Sequence, residues 1–129
     1  MDYIDFGEAV ELHDREIEET GGRFGFNGPE GEGLLRSALQ RPIDMATYAE
    51  ADLFEQAATL MFGIAKNHAF LDGNKRTALI VTDVFLQING HWFTASNEEL
   101  LAFLLQCDQP AFTVKACVEF VKEHSGPLP

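Results

Sequence analysis

The chain has 129 residues, 46% hydrophobic and 23% charged, with 21 acids against 9 Lys plus Arg for a formal net charge of −12. That length and apolar content predict one globular domain over residues 1–129 and argue against global disorder. So acidic a surface disfavours nucleic acid and anionic lipid as partners, because both would be repelled. The excess is uneven: Met1 to Glu19 holds eight acids and one base, Arg15. Cys107 and Cys117 are too few for a disulfide framework, and their apolar surroundings predict buried free thiols. No apolar run is long enough to span a bilayer. The start, Met1-Asp2-Tyr3-Ile4-Asp5, has neither the basic flank nor the apolar stretch of a signal peptide. A soluble, cytoplasmic protein is expected.

In chain order, Asp5-Phe6-Gly7-Glu8 reads as a capping box. Phe6, Val10, His13 and Ile17 share one helical face, and Gly21-Gly22 stops the helix. Arg23 to Gly33 holds four glycines and Pro29 and is expected as loop. Leu34, Leu35, Ala38 and Leu39 mark a short second helix closed by Pro42. Thr47-Tyr48-Ala49-Glu50 reads as the capping box of a long apolar helix with Leu53, Ala57, Leu60, Met61 and Ile64. The next helix should run from about Asn74 to Ile88, ended by Asn89-Gly90. His91 to Thr94 has extended character. Ser96 caps a helix through Leu105, Phe112 to Glu123 makes the last one, and Gly126-Pro127 is expected to end the ordered chain. The fold class is therefore all-α, with about six helices and at most one short β-hairpin or flap.

The stretch between the two central helices is His68-Ala69-Phe70-Leu71-Asp72-Gly73-Asn74-Lys75-Arg76. His68 brings an imidazole, a group whose unperturbed pKa near 6.5 suits general-base work. Asp72 offers the hard carboxylate oxygen that Mg²⁺ prefers. Gly73 permits positive φ and close approach of a ligand, and Gly73-Asn74 opens a helix whose free N–H groups attract anions. Lys75 and Arg76 add two cations, the latter able to grip phosphate oxygens in pairs. Each residue alone has an ordinary structural reading: a helix-end His, an Asp-Gly-Asn turn, a solvated basic pair, and Phe70 as a core anchor. Their convergence in one short stretch of an otherwise acidic chain points to phosphate chemistry. No Gly-x-x-x-x-Gly-Lys-Ser/Thr or Gly-x-Gly-x-x-Gly is present, and no Cys/His spacing fits zinc.

This segment resembles the Fic/Doc family, whose motif is His-x-Phe-x-Asp/Glu-Gly/Ala-Asn-x-Arg, and within it the Doc (death-on-curing) toxin branch. Leu12-His13-Asp14, Gly21-Gly22, Gly33-Leu34-Leu35, Ser37-Ala38-Leu39, Pro42 and Asn74 to Leu79 extend the likeness over about Val10 to Glu123. The resemblance implies a compact helical domain with His68 as the base that activates a target hydroxyl. It implies Asp72 as the Mg²⁺ ligand, Gly73 and Asn74 as the anion nest, Arg76 on phosphate oxygens and Phe70 as the loop anchor. AMP-transferring members usually have Pro where Ala69 stands and Gly where Lys75 stands. In the Doc branch the latter change goes with reversed ATP, whose γ-phosphoryl group then meets the hydroxyl.

The resemblance thus implies an ATP- and Mg²⁺-dependent protein Ser/Thr kinase toxin. It would modify a translation factor such as elongation factor Tu and arrest translation, with Lys75 stabilising the transferring group. The family's inhibitory motif, Ser/Thr-x-x-x-Glu-Gly/Asn, is nearest at Thr94 to Glu98 but fails at Glu99, so a separate antitoxin chain is the implied inhibitor. Asp44 to Tyr48 is expected as a flap that aligns a target segment. Two other readings are an AMP-transferase acting on a protein hydroxyl and a non-catalytic module that binds a nucleotide or partner.

Overall fold

A computed structural model describes residues 1–129. Six helices carry the chain: α1 (Phe6–Thr20), α2 (Gly31–Ala49), α3 (Leu53–Asn67), α4 (Asn74–Ile88), α5 (Asn97–Leu104) and α6 (Val114–Glu123). Two short strands, β1 (His91–Phe93) and β2 (Ser125–Pro127), form the only sheet, antiparallel with Trp92 opposite Gly126. The class is all-α, as predicted.

Helix α3 lies at the centre. It buries Gln56, Ala57, Ala58, Thr59, Leu60, Met61, Ile64 and Ala65, and it packs on α2, α4 and α6. A helix apolar on most of its circumference has to be wrapped by neighbours, and these three wrap it. Helix α1 adds Ala9, His13 and Ile17 to the buried interior and rests on α4 and α2. Its start is the expected capping box: Asp5 accepts from the Glu8 amide at 2.8 Å, and the Glu8 side chain accepts from the Asp5 amide at 3.4 Å. Cys107 and Cys117 are free and buried. Burial pushes the Cys117 thiol up to about 12.

Three expectations are corrected. Helix α2 does not stop at Pro42 but runs through it to Ala49, so Asp44 to Tyr48 is helix and not a flap. Proline costs a helix interior an N–H bond and a clash with the carbonyl four residues back. Here the cost is met by packing: Leu35, Ala38, Leu39 and Pro42 are all buried on one face of α2. The two helix backbones approach closely because Gly63 of α3 lacks a side chain, and a Cβ there would lie 3.3 Å from the Ala38 Cβ. Second, the box that starts α3 is not Thr47/Glu50. Asp52 accepts from the Glu55 amide at 2.8 Å, and the Glu55 side chain accepts from the Asp52 amide at 3.2 Å. Third, the chain does not lose order at Gly126-Pro127, since Ser125–Pro127 is the strand that pairs with β1, continued by a 3.0 Å bond from the Leu128 amide to the Gly90 carbonyl.

Candidate active site

The loop 68–73 joins the two helices at the centre of the fold, α3 and α4. Nine consecutive residues are close to one another by necessity, so what matters is how the loop is held and where its groups point. Helix α3 ends as His68 takes left-handed backbone, φ 50° and ψ 46°. That reverses the chain and leaves the imidazole exposed, while the His68 carbonyl accepts from Asn27 Nδ2 at 3.2 Å.

Next, Ala69 and Phe70 turn inward and are buried. Phe70 forms an isolated antiparallel bridge with Phe26 in the glycine-rich loop, through Asn27 N–H to Ala69 C=O at 2.8 Å and Leu71 N–H to Gly25 C=O at 3.1 Å. The peptide groups of Phe70 itself face the other way. Asn74 satisfies both: its Oδ1 accepts from Phe70 N–H at 3.0 Å, and its Nδ2 donates to Phe70 C=O at 2.9 Å. The Phe70 ring stacks on His13, with centroids 3.7 Å apart and planes 6° apart, and on Phe26 at 5.3 Å. The start of α2 closes against this layer, where a Cβ on Gly31 would sit 2.5 Å from the Ala69 carbonyl oxygen. Phe70 is therefore the loop anchor that its residue type predicts.

Asp72 follows on the outer side. Its Oδ2 accepts from the Arg23 amide at 2.7 Å and from Arg23 Nε at 3.1 Å. These two bonds, side chain first, hold the Asp72 carboxyl below its ordinary value. Its other oxygen has no protein partner. No group of three or more His, Cys, Asp or Glu side chains converges on one point. The donor set at Asp72 suits a hard cation that takes one protein carboxylate and completes its shell with ligand oxygens and water, as Mg²⁺ does on phosphates.

Gly73 caps α4 in left-handed backbone, φ 79°. The first closed turn is the 2.9 Å bond from Thr77 N–H to Gly73 C=O, so the amides of Gly73, Asn74, Lys75 and Arg76 have no acceptor within the chain. Four free donors at the positive end of a 15-residue helix are an arrangement that attracts anions. Asn74 differs from expectation in one respect: its amide N–H belongs to this set, but its side chain is spent on holding Phe70. Lys75 is half-buried and Arg76 exposed, and neither takes part in an ion pair. Lys66, by contrast, donates to the Cys107 carbonyl at 3.0 Å.

His68, Asp72, Gly73, Asn74, Lys75 and Arg76 line one open pocket of about 310 Å³, with Leu101 and Leu105 on its far side. A more enclosed groove of about 390 Å³ adjoins it, sharing Arg76 and Leu101 and running between α4 and α5 toward Asp83 and Phe93. Sequence reasoning missed the supporting residues His13, Arg23 and Asn27. His13 carried a signal, as a histidine within an apolar helical stripe, whereas nothing in the local sequence marks Arg23 or Asn27.

The family model described as the Fic/DOC family matches residues 3–86. The chain belongs to the Fic/DOC family. The matched span takes in α1 to α3 and all but the last two residues of α4 and so contains every residue that builds the Fic/DOC loop and its supports, while Leu101 and Leu105 lie beyond it. The chain is 38% identical to protein kinase doc of Escherichia phage P1 over 91 residues, 70% of each chain. It is 42% identical to toxin Doc of Mycolicibacterium smegmatis over 88 residues, 63% of this chain and 66% of that relative.

Proposed function

We propose that this Fic/DOC chain is a Doc-like toxin that transfers the γ-phosphoryl group of ATP to a protein hydroxyl. The observation that carries the reading is the turn Gly73–Arg76, with four free amides and the cations Lys75 and Arg76 beside an exposed His68. Membership of the family and likeness to a relative named protein kinase doc supply the reaction class. Lys75, where AMP-transferring members carry glycine, favours transfer of the γ rather than the α phosphoryl group.

In this reaction His68 takes the proton of a Ser or Thr hydroxyl. The hydroxyl oxygen forms a bond to the γ-phosphorus, the bond from that phosphorus to the β–γ bridging oxygen breaks, and ADP leaves. The Gly73–Arg76 amides hold phosphate oxygens and lower the cost of charge that develops on them. Lys75 and Arg76 act in the same sense, with Arg76 at the junction of pocket and groove. Asp72 would hold Mg²⁺, which when bound neutralises phosphate charge. The target is a translation factor of the elongation factor Tu type, modification of which arrests translation. A separate antitoxin chain neutralises the toxin in the cell.

The test is transfer of label from ATP to elongation factor Tu in the presence of Mg²⁺. Label should move from the γ position, and His68→Ala should lower the rate by about 10²–10⁴-fold, the usual worth of a general base. Label that moves only from the α position would instead establish an AMP-transferase. Transfer at the full rate by His68→Ala would remove the base assignment.

A further inference from the structure

We infer that His13 is a positioning residue that sets the direction of the first amide donor of the anion turn. The inference rests on the reading of Gly73–Arg76 as a phosphate site and adds the residue that makes that site rigid.

His13 is fully buried on α1, 59 residues from the atom it binds. Its Nε2 lies 2.8 Å from the Asp72 carbonyl oxygen. A carbonyl only accepts, so Nε2 carries hydrogen and donates. A peptide unit is planar and trans, so its C=O and the following N–H point in opposite directions. Holding the Asp72 carbonyl inward against α1 therefore turns the Gly73 N–H outward, where it has no protein partner.

This peptide needs such a restraint. Gly73 has no side chain to resist rotation of the 72–73 peptide plane, and glycine accepts either sign of φ. No larger residue can supply the stiffness, because a Cβ on Gly73 would lie 3.0 Å from Ile17 Cδ1 while its φ stays at +79°. The restraint must come from outside the turn, and His13 is built as a rigid one. Its ring lies flat on Phe70 at 3.7 Å in a fully buried site. The imidazole is thus fixed by packing, and the bond to Asp72 inherits that rigidity. Without it the Asp72 carbonyl would face a core helix unpaired, and turning that carbonyl toward water would swing the Gly73 N–H inward.

The test pairs His13→Met, which keeps an apolar filler of similar length but no donor, with His13→Gln, whose amide can reach the Nε2 position. The full chain, labelled with ¹⁵N, is titrated with ATP and Mg²⁺, and the Gly73 amide resonance is followed. In wild type that resonance should move. In His13→Met the dissociation constant should rise about tenfold, the size of one lost donor to an anion, with the Gly73 response diminished. His13→Gln should recover most of both. A purely structural His13 would lower the melting temperature of both variants without separating them in binding or in the Gly73 signal. Equal affinity and an equal Gly73 shift in folded His13→Met overturn this inference alone. A wild-type turn whose amides ignore ATP overturns the phosphate reading together with it. One measurement needs no variant: the His13 Nε2 proton should exchange slowly in wild type, and its loss on dissolution in D₂O would also overturn the inference.

Discussion

Replacing Asn74 tests how the loop is held. In Asn74→Ala the Phe70 N–H and C=O lose their only partners, at 3.0 and 2.9 Å, and neither can turn to the Phe26 strand because the bridge uses the flanking peptides. An orphaned peptide group costs about 1–3 kcal/mol, and these two are half-shielded, so the sum is about 3 kcal/mol. A gain in helix propensity of a few tenths of a kcal/mol at the first position of α4 is too small to offset it. For a chain of this size the melting temperature should fall by about 10 °C. Asn74→Asp sharpens the test. It keeps an acceptor for Phe70 N–H but sets a second oxygen against Phe70 C=O, while a carboxylate at a helix start gains about 0.5 kcal/mol. The repulsive contact outweighs that gain, so Asn74→Asp should cost at least about 2 kcal/mol at neutral pH. Urea unfolding followed by the fluorescence of Trp92, the only tryptophan, measures both variants. Stability within about 0.5 kcal/mol of wild type for Asn74→Ala would refute the claim that Asn74 clamps the loop.

Two further outcomes follow from the contacts. Arg23 holds the Asp72 carboxyl below its ordinary value of 3.8, so Asp72 stays ionised and its pairing with Arg23 stabilises the fold above that pH and is lost as acid titrates the folded form. Arg23→Ala should return the titration toward 3.8, so a ¹³C carboxyl titration of Asp72 should show a higher midpoint in the variant. The start of α3 separates the two capping readings. Asp52→Ala should cost about 1 kcal/mol in urea unfolding, and Thr47→Ala, which removes only a 3.0 Å hydroxyl bond to the Ile43 carbonyl inside α2, should cost less than half as much.

Legibility in the sequence followed the range of the interaction responsible. Helix α4 could be read to the residue because its limits are local: Gly73 before it and Asn89-Gly90 after it. The box at Asp5 and Glu8 is local too. The end of α2 was not legible, since Thr47-x-x-Glu50 and Asp52-x-x-Glu55 carry nearly the same signal five residues apart. The choice between them is made by the packing of α2, which buries Pro42 and brings Ala38 against Gly63 of α3, and no window of sequence contains that contact. Strand β2 escaped for the same reason, because Ser-Gly-Pro has no strand character and pairs only because β1 lies beside it. At the candidate site, most groups that line the pocket form one short stretch and could be named. The groups that aim them could not, because His13 and Arg23 reach Asp72 across 59 and 49 residues.

On the proposed role of His68 as the base, its left-handed backbone sets stability against activity. Any residue with a side chain gives up about 1 kcal/mol or more there relative to glycine, whose own loss of chain freedom offsets only part of that. A search for more stable variants would therefore favour glycine at position 68 and discard the imidazole with it. The fold tolerates histidine because Asn27 holds the His68 carbonyl and Phe70 anchors the next turn, so surplus stability in the core sustains the strained residue. Selection for heat resistance alone would alter the loop 68–73 before it touched the helices.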